Sequence, residues 1–135
     1  MTDPAIQLIA NLVVTRPDGR ILLARYNPSG ELDDADAETR WWLPGHELAP
    51  YQHPDDAARD ALAEIDGIRV DSLELVGVQS FRGRRGWHVS FDYRVFAEGE
   101  PSATGVLAAW HDRQQLPRTM HGNWERSTIE GALAG

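Results

Sequence analysis

The sequence predicts an α+β domain, a mixed β-sheet covered by helices on both faces. Three observations lead there. Apolar alternation recurs in several segments bounded by turn residues, one central segment carries the start signals and apolar stripe of a short amphipathic helix, and a helical pattern closes the chain. The 135 residues suit one domain spanning 1–135.

The elements follow in order. Ala5–Thr15 and Ile21–Tyr26 are apolar and flank Arg16-Pro17-Asp18-Gly19-Arg20, whose turn chemistry predicts a β-hairpin. Between Asn27 and Arg40 the residues Glu31, Asp33, Asp34, Asp36 and Glu38 crowd a stretch without apolar periodicity, so a mobile, solvated surface loop is expected. Trp41-Trp42-Leu43 reads as a short strand, and Pro44-Gly45 opens an irregular stretch. Pro54 then suits a first helical position, and Asp55 and Asp56 fall in the first turn, where the helix dipole favours negative charge. Ala57, Ala58, Ala61, Leu62 and Ile65 form one apolar stripe, and Gly67 is expected to end the helix. From Leu73 to Phe81 strand character returns. After the basic turn Arg82–Gly86, Val89, Phe91, Tyr93 and Val95 alternate with His88, Ser90, Asp92 and Arg94, which predicts a second long hairpin. Gly105–His111 reads as a strand, Asp112 as the cap of a short helical turn ending at Leu116-Pro117, and Glu125–Ala134 as a terminal helix.

Composition excludes several classes of function. Hydrophobic residues make up 41%, an ordinary soluble share, and the absence of cysteine removes disulfides, thiolate nucleophiles and cysteine-built zinc sites. All 13 basic residues are arginine and 21 residues are acidic, giving a net charge of −8, which weighs against a nucleic-acid partner. The apolar run Ala5–Val14 is interrupted by Gln7 and Asn11 and is far too short to cross a bilayer. The expectation is a soluble, unprocessed, cytoplasmic protein with no membrane association.

Trp41-Trp42-Leu43-Pro44-Gly45, then Pro54–Ile68, and later Ala108–Pro117 together resemble the Nudix hydrolases, and the resemblance extends from Ile6 to Leu133. It implies a Nudix-like α/β/α sandwich with a mixed β-sheet between helices. It also implies a loop–helix–loop box, G-x5-E-x7-R-E-U-x-E-E-x-G-U with U bulky and apolar, whose glutamates hold Mg or Mn for hydrolysis of a nucleoside diphosphate linked to another group. Carboxylates one helical turn apart share a face, and hard oxygens are what magnesium requires.

Two registers relate this chain to the box. Aligned without gaps on Pro44, Pro54, Leu62, Gly67 and Ile68, the motif glycine falls on His46, the first glutamate on Gln52 and the arginine on Asp60. The three metal-binding glutamates then fall on Ala61, Glu64 and Ile65, so one carboxylate of three remains and the box is degenerate. Shifted by one residue, Gly45 becomes the motif glycine, Arg59-Asp60 the Arg-Glu pair, and Asp60 with Glu64 a carboxylate pair at i and i+4. That shift turns the helix by about 100° and removes Leu62 from its buried slot.

Three functions follow. In the first, the degenerate box leaves a module that binds a nucleoside diphosphate derivative or related phosphate ligand with weak or no hydrolysis, and needs no cofactor. In the second, Asp60 and Glu64 hold Mg or Mn, and with Glu47 they catalyse pyrophosphate hydrolysis. The third is a homodimeric interaction domain in which Arg82, Arg84 and Arg85 meet an acidic partner. His46, Gln52, Arg82, Arg84, Arg85 and Trp87 are the candidate ligand contacts: imidazole is the usual base near neutral pH, guanidinium forks fit phosphate, and indole stacks on rings. Each also has an ordinary structural reading, in a solvated loop, a solubilising hairpin tip or the core.

Overall fold

The structure, a computed structural model, describes residues 6–25, 41–83, 86–102, 107–116 and 123–133, with backbone alone at 25, 83, 107 and 123–127. The acidic stretch 27–40, Arg84, Arg85 and His121 lie outside the described residues. In chain order the elements are β1 (Ile6–Thr15), β2 (Ile21–Arg25), β3 (Trp41–Trp42), β4 (Gly45–Glu47), α1 (Pro54–Ala63), β5 (Ile68–Gly83), β6 (Gly86–Gly99), β7 (Leu107–His111) and α2 (Asn123–Leu133).

The first hairpin forms as its turn residues dictate. Gly19 takes φ +89°, the Arg20 amide donates to Asp18 Oδ1 at 3.0 Å, and Arg16 Nε donates to both Asp18 oxygens at 2.9 Å. β1 and β2 then run antiparallel from Thr15 opposite Ile21. On its other side β1 runs parallel to β6, from Ile6 opposite Trp87 to Thr15 opposite Phe96, and β6 pairs antiparallel with β5. The main path is β3-β2-β1-β6-β5, with β4 on β1 and β7 on β2, a mixed sheet of seven strands.

Both faces of this sheet are covered. Ala10, Leu12, Val14, Leu22, Tyr93 and Val95 pack with Ala57, Ala58, Ala61, Leu62 and Ile65 at the α1 side. Val13, Ile21, Leu23 and Leu43 pack with Ile129 and Ala132 of α2 on the opposite face. Burial of both faces explains why β1 is apolar without alternation from Leu12 to Val14. Among the described residues no helix is long and apolar enough to cross a membrane.

Three expectations need correction. The stretch after Pro44 contains a strand, β4, because Gly45 lets two backbones meet: the Leu12 amide donates to the Pro44 carbonyl at 2.8 Å, and a Cβ at 45 would lie 2.8 Å from the Ala10 carbonyl oxygen. The helix ends at Ala63, with Glu64 as C-cap, before Gly67. The chain must reverse to enter β5 at Ile68, five residues ahead of Leu73. Gly67 makes that reversal with φ +96°, at a point where a Cβ would sit 2.2 Å from the Glu100 carbonyl oxygen. Finally, Asp112 caps a turn without a helix; its Oδ1 accepts from the Gln114 amide at 2.9 Å.

Candidate functional site

The loop between β4 and α1 is tied at both ends. At the helix entrance His53 is the N-cap, its Nδ1 accepting from the Asp55 amide at 3.0 Å. The Tyr93 hydroxyl, rising from the sheet, donates to Asp55 Oδ1 at 2.5 Å; burial and the Asp55 carboxylate push the phenol pKa up. Gln52 bridges loop and helix: its Oε1 accepts from the Ala49 amide at 3.0 Å, and its Nε2 donates to Asp60 Oδ2 at 2.8 Å. The neighbouring Tyr51 is fully exposed at φ +66°, the positive-φ residue that is not glycine among those described.

His46 lies opposite Ala10 on β1. Its Nδ1 is 2.7 Å from the Glu47 carbonyl oxygen, and a carbonyl only accepts, so that contact puts a proton on Nδ1. Nε2 then faces Glu64 Oε1 at 3.5 Å. Two pairs thus bracket the site, His46 with Glu64 and Gln52 with Asp60. Asp60 and Glu64 engage different partners, and the exposed Glu47 side chain makes no hydrogen bond or ion pair among the described residues.

Ala57, Ala58, Leu62 and Ile65 are buried and Asp60 is exposed. Ala61 is 0% exposed and Ile65 3%. Among the described residues no three His, Asp or Glu side chains gather where they could hold a metal ion. One carboxylate beside one imidazole does not fit magnesium, which takes mostly oxygen ligands in octahedral order.

Arg82 and Trp87 sit apart from these pairs, opposite each other on β5 and β6. Trp87 Nε1 donates to Ser80 Oγ at 2.6 Å. Trp87 is also opposite Ile6, and Glu47 opposite Ile9, a separation of three residues or roughly 10 Å of strand. No hydrogen bond or ion pair among the described residues joins Arg82 or Trp87 to the loop and α1. A surface cavity of about 370 Å³ lies elsewhere, lined by Asp18, Gly19, Arg20, Asp112, Arg113 and Gln114, and includes none of the candidate residues.

Sequence reasoning missed a polar chain beneath α2. Asn11 Nδ2 donates to Ser90 Oγ at 2.8 Å, Ser90 Oγ to Asp92 Oδ1 at 2.5 Å, and Gln79 Nε2 to Asp92 Oδ2 at 2.5 Å and Thr128 Oγ1 at 3.2 Å. Asn11, Ser90, Asp92 and Thr128 are all buried, and burial raises the Asp92 pKa against the lowering effect of Ser90 and Gln79. The signal was present: polar residues alternating along a strand become buried polar groups when both sheet faces are covered. Burial likewise lowers the pKa of His111, whose ring meets Trp41 edge-on at 4.7 Å between centroids.

No family model and no curated protein matches the sequence. Solved structures do match the fold. A NUDIX hydrolase from Nitrosomonas europaea aligns with a TM-score of 0.69 at 19% identity, covering 97% of this chain and 90% of its own. The ORF135 protein of E. coli aligns at 0.67 and 17%, covering 96% and 89%. A MutT NUDIX hydrolase from Burkholderia pseudomallei aligns at 0.65 and 19%, covering 93% and 98%. The chain therefore has the Nudix fold, the α/β/α sandwich with a mixed sheet that the sequence predicts.

Proposed function

We propose that this Nudix-fold chain binds a nucleoside diphosphate derivative or a related phosphate ligand beside α1 and hydrolyses it weakly or not at all. The observation that carries the reading is the burial of Ala61 and Ile65. In the gapless register they take the places of two metal-binding glutamates, so the box keeps Glu64 alone, and His46 stands against that carboxylate. His46 and Gln52 are the nearest ligand contacts, because Nε2 of His46 and the exposed loop offer polar groups without a bound cation. Arg82, Arg84, Arg85 and Trp87 serve a distal part of the ligand, and the protein works in the cytoplasm as a single domain.

The test is a screen of nucleoside diphosphate derivatives, read by calorimetry for binding and by phosphate or pyrophosphate release for hydrolysis, with and without Mg or Mn. Binding without divalent ion and little or no turnover is expected. Strong Mg-dependent hydrolysis abolished by Glu64→Gln overturns the reading in favour of a metal site on Asp60 and Glu64 with Glu47. Restoration provides the converse. Replacing Gln52, Ala61 and Ile65 together by glutamate rebuilds the ligand set, so magnesium should raise the thermal midpoint of the triple variant and leave the wild type unchanged.

A further inference from the structure

One edge of the sheet is open. Among the described residues β5 pairs with β6 alone, so the peptide groups on its other side have no strand partner. Such edges are ordinarily blunted by lysine, proline or charge. From Ile68 to Gly83 there is no lysine and no proline, and from Leu75 to Phe81 no charged side chain at all. Leu75 is 47% exposed, Val76 38% and Val78 56%. A Cβ added at Gly77 would meet nothing within 4 Å, so another backbone has room to approach.

The pattern along this edge is complementary to itself. About a two-fold axis between Val76 and Gly77, antiparallel pairing sets Leu75 opposite Val78, Glu74 opposite Gln79, Leu73 opposite Ser80 and Ser72 opposite Phe81. Within the chain Leu75 is opposite Tyr93 and Val78 opposite Phe91, on the α1 face of the sheet, so Leu75 and Val78 of two copies would lie side by side. β5 has two register shifts: the one between Val70 and Ser72 lies outside the matched segment, and the one between Leu75 and Gly77, at the axis, does not spoil the match. Both copies carry the same extra residue at the axis, so the faces stay matched on either side of it.

We propose that β5 pairs antiparallel with β5 of a second copy of this chain over Ser72 to Phe81, about an axis between Val76 and Gly77, with the apolar contacts of Leu75 and Val78 at the centre. The assembly is a two-fold dimer with one continuous sheet. It is independent of the ligand reading, since none of these residues belongs to the candidate ligand contacts.

Sedimentation equilibrium of the full chain is the first experiment. A mass twice the 15.1 kDa of the chain in the micromolar range is expected, and a monomer throughout that range overturns the proposal. Val78→Lys should weaken association about tenfold or more, by placing a charge in the apolar centre. An unaltered dimer in Val78→Lys overturns the assignment to this edge. Register is read separately, because the chain has no cysteine. Mixing Leu75→Cys and Val78→Cys proteins under oxidation should yield mainly the mixed disulfide, while equal yields of like pairs overturn the axis. Calorimetry of Val78→Lys with the phosphate ligand keeps the two readings apart, since its ligand affinity should match that of the wild type.

Discussion

Tyr51 holds a left-handed backbone with its side chain wholly in solvent, so the ring gives nothing in return for the steric cost of φ +66°. Glycine removes the Cβ clash, partly offset by greater freedom in the unfolded chain. Tyr51→Gly should raise stability by up to about 1 kcal/mol in urea denaturation. Asp92 makes the opposite point, a polar group whose surroundings set its titration. Its folded pKa is raised above the ordinary value of 3.8 by burial. The folded state therefore binds the proton more tightly than the unfolded chain. This contribution to stability is fully present below 3.8 and is lost as pH rises through the folded value. Asp92→Asn fixes a neutral side chain, so the fall in stability across that window should flatten in denaturation series at successive pH values.

At the scale of elements, α1 is held by its buried stripe and by its two ends. Leu62 is 7% exposed in the core over the sheet; Leu62→Ala should cost about 2–4 kcal/mol, measured by denaturant midpoint at unchanged slope. The reversal after the helix is less forgiving of a side chain. Alanine at Gly67 would need φ +96° and would drive its Cβ into the Glu100 carbonyl, so Gly67→Ala should cost roughly 2 kcal/mol or more although it adds a single methyl. The helix and its stripe were legible in the sequence because Pro54, the acidic first turn and the apolar spacing are local signals. β4 was not, because its three residues become a strand only by lying against β1.

For the whole molecule, two cores share one sheet. Leu62 and Ile129 lie in clusters on opposite faces, so the cost of Leu62→Ala and Ile129→Ala together should equal the sum of the single costs within about 0.5 kcal/mol. A larger coupling energy would mean that β1 transmits packing changes from one face to the other. The sequence by itself determined the two hairpins, the two helices and the covering of both sheet faces. These rest on period, turn residues and caps, which act within a few residues and need no partner to be read. Under the proposed gapless register it also leaves two box positions without a carboxylate, since residue 61 is alanine and residue 65 isoleucine whatever the fold. The tertiary structure alone decided that His46 meets Glu64 while Gln52 takes Asp60, and that Asn11, Ser90, Asp92, Gln79 and Thr128 join under α2. It alone left β5 at the edge. Those outcomes depend on which strands become neighbours and which helix covers them, and pairing between residues far apart in the chain leaves no periodic trace in either segment.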